Sequence, residues 1–414
     1  MSRTSAPISA GPASEGGPAW LSADAAAWAS ARPGSWARPL WSVLALLATV
    51  VAAIALEPVP VCSEAAPCGP DWTGMVQVGL AVGLLYWFAR LPELTLVAAP
   101  VLAVVVAWEE LPATGWASRS ANLAVIAALG LGWAAAWDRT AARRRQRQLV
   151  DRAATAEQRR LKSAGPPRGL IPIAAGSALC AVAVGALVVG SRGVAEDERQ
   201  AARATRTEAV VAGRTDLTLE VRAQDGRRIT VDSLIPEDYR TGTTVVVLEG
   251  DGSWRRLAAE PYDAVGPQLL ALAVGLPGLS LVTTGLLARR RATALRRGAA
   301  PALRVLLRVD VRGRSWVYAA DDTGRSTPLF SCICVPELPE AGECEGAEAA
   351  EELEEETGVV HDGIDGVPFA GTGAREAVMI GAPYEGGELA FITTDGDGTS
   401  VVNHTVGPVR PTPR

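Results

Sequence analysis

The chain has 414 residues, enough for two or three domains of ~150 residues, but its composition argues against a soluble protein. Apolar residues make up 49% and charged residues 20%, whereas soluble domains carry about 25% charged residues. Two histidines and a single lysine, Lys162, exclude a histidine-rich metal site and argue against lysine-based catalysis. The net charge of −6 is not that of a nucleic-acid-binding protein.

The first 39 residues are rich in Ala, Pro, Gly and Ser, which predicts a disordered cytoplasmic tail. They precede the first apolar run by too great a distance for a cleavable signal peptide. As an alternative, residues 21–31 could form a short helix at the membrane interface, anchored by Trp20 and Trp28.

Six apolar runs contain no Asp, Glu, Lys, Arg or His, and they approach or meet the ~20 residues that a helix needs to cross a bilayer. They are residues 40–56, 73–89, 94–108, 121–137, 169–190 and 267–288. The third run is the shortest and contains Pro100. The pattern predicts an α-helical integral membrane protein with six transmembrane helices, four of them within residues 40–137, in contact with the lipid bilayer.

The distribution of arginine predicts the orientation, because cytoplasmic loops are enriched in basic residues. Residues 138–168 hold ten basic residues and residues 289–297 hold five arginines, so both segments should be cytoplasmic. Residues 57–71 hold no basic residue and residues 109–120 only Arg119, so both should lie outside. We therefore predict a cell-membrane protein with both termini in the cytoplasm.

Two of these loops also carry candidate chemistry. Cys62 and Cys68 lie in the first outside loop, where an oxidising compartment favours a disulfide; two free thiols are the alternative. The basic cytoplasmic loop, residues 138–168, suits a polar helix. It could bind anionic lipid headgroups, or its charges could only fix the orientation.

Residues 191–265 begin with a charged helical segment and continue with five short strand patterns. Asp225-Gly226 separates two alternating runs, which is a strong hairpin signal. The strand candidates are residues 207–211, 217–223, 227–232, 243–249 and 253–258. Such strands predict a small extracytoplasmic antiparallel barrel, OB-like or SH3-like.

Residues 298–414 carry 20 acidic and 8 basic residues and six further strand patterns. The candidates are residues 302–311, 315–319, 328–335, 374–380, 388–393 and 400–404. A glutamate-rich insertion at residues 336–358 is expected to be a solvated segment. We predict a second small all-β domain, on the cytoplasmic side.

The cysteines and histidines of this last region could in principle form a metal site. Cys332, Cys334, Cys344 and His361 would supply four ligands, but the spacing lacks the paired knuckles of common zinc sites. Buried strand cysteines are the preferred interpretation, and Cys180 is likewise expected to be a packing residue. Phosphate-binding glycine loops and nucleophile elbows are absent, so no cofactor, metal or catalytic residue is predicted.

Small residues within the runs favour close helix packing. Gly79-x₃-Gly83 and Ala181-x₃-Gly185 have the spacing of helix–helix contacts, within one chain or in a homo-oligomer. An Ala- and Gly-rich composition explains them equally well.

Two pairs of segments resemble a known group of proteins. Residues 236–248, with residues 258–262, resemble small β modules between paired transmembrane helices in uncharacterised actinobacterial multi-pass membrane proteins. Residues 316–322, with residues 381–387, resemble the cytoplasmic end of the same kind of protein. The resemblance implies an architecture and no functional residues.

The spans carry no ionisable group, which argues against an ion-coupled transporter. We expect a non-catalytic membrane protein that acts in protein interaction, scaffolding or signal relay across the envelope, with an unknown protein partner. The alternative is a transporter-like or channel-like protein for an apolar or lipid substrate. A third possibility is an enzyme that uses His361 or His404 as a base.

Overall fold

The computed structural model describes residues 17–57, 63–64, 67–113, 115–154, 158–159, 168–233, 235–262, 264–297, 299–310, 313–322, 324, 327–336, 374–394, 400–406 and 409–412. The chain divides into two compact units. Unit 1 contains Met1–Gly34, Asp138–Gly169 and Leu287–Arg414, and unit 2 contains Ser35–Trp137 and Leu170–Leu286.

Six of the seven α-helices in the described ranges are long and apolar enough to span a membrane, which confirms the six predicted helices. A short helix, α1 (Ser22–Ser30), precedes them. The six are α2 (Pro39–Leu56), α3 (Trp72–Arg90), α4 (Pro92–Ala113), α5 (Trp116–Ala153), α6 (Leu170–Arg203) and α7 (Val265–Arg297). Asp71 begins α3 by accepting a hydrogen bond from the Gly74 amide at 2.7 Å.

Three of these helices extend well beyond their apolar runs. α5, α6 and α7 have 38, 34 and 33 residues, although a bilayer core needs only ~20. The extensions are rich in Ala, Arg, Gln and Glu, which are strong helix formers, so nothing in the sequence ends the helix at the apolar boundary. The first part of the basic segment, up to Ala153, is therefore helical, as its composition suggests.

Glycines allow the helices of unit 2 to approach closely. A Cβ on Gly176 of α6 would lie 2.6 Å from the carbonyl oxygen of Gly278 in α7. A Cβ on Gly79 of α3 would lie 2.5 Å from Leu272 Cδ2, whereas Gly185 has no atom within 4 Å of that position. The predicted packing role is therefore confirmed for Gly79 but not for Gly185, and at Gly176 the neighbour that leaves no room for a side chain is the backbone of α7.

The five-stranded module, residues 205–257, is one antiparallel sheet in the order β4-β3-β2-β5-β6. All five predicted strands are present: β2 (Thr205–Arg214), β3 (Thr218–Ala223), β4 (Arg228–Asp232), β5 (Thr244–Glu249) and β6 (Arg255–Leu257). Gly226 adopts a φ of +88° in the predicted hairpin turn. The alternating apolar residues form one core that includes Leu219, Val221 and Val247. In the described residues no strand pairing joins β4 to β6, although the two strands lie close together, so the predicted small barrel is not closed by backbone hydrogen bonds.

The barrel domain, residues 300–411, contains the closed barrel of the molecule. Its six predicted strands are confirmed: β7 (Ala300–Val309), β8 (Arg314–Tyr318), β9 (Phe330–Pro336), β10 (Arg375–Ile380), β11 (Ala390–Thr394) and β12 (Ser400–Thr405). Antiparallel pairing in the order β7-β10-β11-β12-β9-β8 returns to β7 and closes the ring. Two short strands, β1 (Gln158–Arg159) and β13 (Arg410–Pro411), add to β7 and β9.

The described N-terminal residues, 17–39, are ordered, so the prediction of a disordered tail over residues 1–39 is wrong for this part, whereas the alternative short helix over residues 21–31 is present as α1. Trp20 and Trp28 are 1% and 0% exposed and contact Phe330 in the core of the barrel domain. They are core residues, and so they are not interfacial anchors. Asp321 accepts hydrogen bonds from the amide and hydroxyl of Ser22 at the start of α1, and these bonds lower the pKa of Asp321.

Several predicted features fall outside the described residues. They are Cys62 of the proposed disulfide, Cys344 and His361 of the alternative metal site, and residues 337–358 of the glutamate-rich insertion. The disulfide between Cys62 and Cys68 therefore stays a prediction. The Cys68 amide donates to the Ala259 carbonyl at 2.9 Å, so the segment before α3 contacts the end of the five-stranded module.

Candidate functional site

Two polar junctions connect the β modules to the long helices. The first, the Asp197 junction, consists of Asp197, Arg256 and Tyr262 in unit 2. Asp197 lies in the extension of α6 and is 7% exposed. Its Oδ2 forms an ion pair with Arg256 Nε of β6 at 3.1 Å and accepts the Tyr262 amide at 3.2 Å. Because Tyr262 precedes α7, one carboxylate joins the sheet to both flanking helices.

A second buried carboxylate lies in the segment between β6 and α7. Glu260 is 6% exposed and accepts a hydrogen bond from the Ser233 hydroxyl at 2.9 Å. Burial, together with the negative charge of Glu260, raises the pKa of Tyr239 well above its ordinary value. A buried charge is tolerated only when it is paired or hydrogen-bonded, so these contacts hold the end of the sheet in one arrangement.

The second junction, the 381–387 junction, is the β10–β11 loop of unit 1 and its contacts. Gly381 and Gly386 have φ values of +103° and +82°, which residues other than glycine rarely adopt. Arg291, in the last part of α7, donates to the Gly386 carbonyl at 2.6 Å. The Trp28 indole donates to the Pro383 carbonyl at 2.8 Å. The loop thus holds both the end of α7 and the N-terminal helix.

The end of α5 contacts the same loop through arginines. Arg139 donates to Glu385 at 3.2 Å, and Arg143 lies 3.8 Å from the other carboxylate oxygen. The two arginine side chains are 5% and 11% exposed, whereas Glu385 is 45% exposed. The guanidinium of Arg147 lies 4.0 Å from the ring centroid of Tyr384, within cation–π range.

These contacts decide between the two interpretations of the basic segment for some of its residues. Arg139 and Arg143 are buried against Glu385, so their guanidinium groups pair with a carboxylate of this chain and are not exposed to lipid headgroups. Arg144 and Arg145 are exposed, and Arg145 pairs with Asp138 at 3.2 Å. Only the exposed residues of this segment could contact anionic lipid.

Cys332 and Cys334 lie on the same side of β9. Cys332 is buried in the barrel core, Cys334 packs partly buried against it, and their sulfur atoms are 3.6 Å apart. Within the described residues, no group of three or more His, Cys, Asp or Glu side chains could hold a metal ion. His404 is 8% exposed on β12, opposite Val335 of β9.

Comparison of the chain with protein-family models, with curated proteins and with solved structures finds no match. The function of this chain is therefore inferred from the geometry of the two junctions.

The sequence did not predict either junction as a site. It did single out residues 258–262 and 381–387, although only as carriers of a resemblance, and both segments prove to be junction segments. Two sequence features could have indicated the junctions. Asp197 and Glu260 are carboxylates next to apolar helices, and the Gly-rich residues 381–387 lie between two strand patterns. Arg256 lies far from Asp197 in sequence, Arg291 lies far from residues 381–387, and neither arginine carries a pattern of its own.

Proposed function

We propose that this chain is a non-catalytic multi-pass cell-membrane protein that relays the state of the five-stranded module to the barrel domain. The observation that carries the proposal is the continuity of α7. Its residues up to Leu286 belong to unit 2 and its residues from Leu287 belong to unit 1. It begins eight residues after β6 and ends three residues before β7, with the Asp197 junction near its start and the 381–387 junction at its end.

A relay needs an element that both modules bias. A helix transmits displacement along its axis because its backbone hydrogen bonds make it stiff. The helix α7 continues through Pro277, where one of these bonds is missing. Each junction ties a helix end to a sheet through buried polar groups whose rearrangement is costly. A displacement of the sheet at Arg256 would therefore move the start of α7.

The relay is tested on the full chain in lipid nanodiscs. Arg256→Gln should release Asp197, and amide hydrogen exchange should then rise at residues 381–387 as well as near Tyr262. Arg222→Gln is the matched control, because Arg222 is an exposed arginine of the same sheet. Unchanged exchange at residues 381–387, with the expected opening near Tyr262, would refute the relay.

The proposal includes an orientation, in which the five-stranded module is outside and the barrel domain and both termini are cytoplasmic. The arginine distribution supports it. Cysteines introduced at Glu64 and Asp225 should react with a membrane-impermeant maleimide in intact cells, and one at Arg145 only after lysis; all three positions are exposed. Labelling of the Arg145 position in intact cells would contradict this topology.

Interaction with a protein partner is the second part of the proposal. The outer edges of β4 and β6 have no strand partner in the described sheet, although the two strands lie near each other, and an edge without a partner can accept a further strand. A photo-crosslinking residue at Thr230 of β4 or at Arg255 of β6 should capture a partner or a second copy of this chain in cells. Absence of any crosslink from both edges, with efficient crosslinking of a known membrane complex as control, would remove this support.

A further inference from the structure

The barrel interior holds a pair of thiols whose surroundings differ. Cys332 and Cys334 are two residues apart on β9, so their side chains lie on the same side of the strand. The sulfur atoms are in contact, 3.6 Å apart. Cys332 is 2% exposed, whereas Cys334 is half-buried. Cys334 is therefore the more exposed residue of the pair, and the two sulfur atoms are in direct contact.

The surroundings of Cys334 stabilise a thiolate. Its sulfur interacts with the Cys332 thiol, with the Ser315 hydroxyl of β8 and with the positive charge of Arg168. These contacts lower the pKa of Cys334, with the Cys332 contact contributing most, although burial opposes the shift. The contact with Cys334, and burial, raise the pKa of Cys332. The contact between the two sulfur atoms thus favours the thiolate at Cys334 and the protonated thiol at Cys332.

Among the described residues, Glu388 is a further charged group near Cys334 and Arg168. Its carboxylate lies 3.4 Å from Arg168, and the two side chains are 13% and 18% exposed. On β12, Thr405 lies opposite Cys334, but its hydroxyl is engaged with the backbone of Leu389. Arg168 therefore faces both the carboxylate and the thiol, and removal of either neighbour changes its effect on the other.

We propose that Cys332 and Cys334 form a peroxide-oxidisable dithiol, in which Cys334 is the attacking sulfur and Cys332 the resolving one. The Cys334 thiolate attacks a hydroperoxide oxygen, the O–O bond breaks, and the leaving oxygen departs as hydroxide or alkoxide and takes a proton from solvent. Cys334 is then a sulfenic acid. The Cys332 sulfur attacks the Cys334 sulfur, the S–O bond breaks, and water leaves with the Cys332 proton. The two thiols lose two electrons, and the peroxide gains them.

The extended strand constrains this bond. Residues i and i+2 of a strand have Cα atoms about 6.6 Å apart. Their side chains point the same way, so the Cβ atoms are about as far apart, whereas a disulfide needs a Cβ separation of about 3.5–4.5 Å. Its formation therefore requires β9 to shorten locally, between β8 and β12.

The test uses the reduced full chain in nanodiscs, treated with hydrogen peroxide and digested after glutamate. Cleavage at Glu337 separates the pair from Cys344. The peptide that contains Cys332 and Cys334 should lose two hydrogen atoms and regain them with a reductant. In Cys332→Ser, Cys334 should stop at a sulfenic acid that dimedone traps, whereas in Cys334→Ser, Cys332 should stay reduced.

Charge variants separate this site from two thiols that are merely packed. Arg168→Gln should slow the oxidation by less than about tenfold, because Arg168 is the smallest of the contacts that lower the pKa of Cys334 and one pKa unit changes the thiolate fraction about tenfold. Glu388→Gln should not slow it, since Arg168 then loses its competing carboxylate. No oxidation in the wild type, a bond from Cys334 to Cys344, or equal slowing by both charge variants would overturn the proposal.

Discussion

The two β modules of this chain are built from similar short antiparallel strands, yet they are assembled differently. The five-stranded module is made from one continuous stretch, and three of its four strand pairs join neighbours in sequence. The barrel domain is closed by the long-range pairs of β7 with β10 and of β9 with β12. Its core also needs Trp20 and Trp28 from the N-terminus and Val150 from α5. Local hairpins and one longer-range pair, β2 with β5, thus suffice for this sheet, whereas the closed barrel depends on segments that arrive from elsewhere in the chain.

The largest effect on stability is expected when a residue from a distant part of the sequence is removed from the barrel core. Trp28→Ala should destabilise the barrel domain by about 4 kcal/mol, as expected when a buried Trp is truncated. Pulsed alkylation of Cys332, read by mass spectrometry during urea unfolding, measures this, because Cys332 lies in the same core. The five-stranded module should unfold at an unchanged urea concentration.

Trp36→Ala is the control for this variant, since Trp36 is 48% exposed. It should leave the Cys332 protection of the wild type intact. Equal loss of protection in both variants would mean that the N-terminal segment does not complete the barrel core.

A smaller effect is expected where the helices that flank the five-stranded module meet. Gly176→Val should destabilise unit 2 by about 1–3 kcal/mol, because its new side chain would overlap the Gly278 carbonyl. Gly185→Val, in the same helix with no atom within 4 Å, should change stability by less than about 0.5 kcal/mol. Thermal unfolding in one detergent compares the two, and similar melting temperatures would show that α6 and α7 do not pack at Gly176.

The smallest effect concerns the pH dependence of the five-stranded module. The folded state raises the pKa of Tyr239, so the neutral phenol is favoured there, whereas the unfolded chain ionises near pH ~10. The stabilisation is fully present below that pH and is lost as the pH rises toward the folded-state pKa. Tyr239→Phe should therefore lose less stability than the wild type between about pH 10 and pH 11.5.

Hydrogen exchange of Val221 and Val247, two core positions of this module, measures the effect. The stability difference between the two proteins should be the same at pH 7 and pH 9 and should change only at higher pH. Parallel alkaline loss in both would exclude Tyr239 as the source.

The sequence alone predicted most of the elements, for physical reasons that operate locally. Uncharged runs of about 20 residues predicted the six long helices, and period-two alternation, with turn signals such as Asp225-Gly226, predicted eleven strands. These signals depend only on residues that are neighbours along the chain. For the same reason, the hairpin at Gly226 was predicted with its turn.

The tertiary structure decided everything that depends on partners distant in sequence. The closure of the barrel, the burial of Trp20 and Trp28 and the pairing of Asp197 with Arg256 each require a residue whose identity says nothing about its partner. The N-terminal segment shows this most plainly, because its Ala-, Gly- and Ser-rich composition cannot bury enough apolar surface by itself. It is ordered only because the barrel offers its two indole rings a core and Ser22 a carboxylate from Asp321.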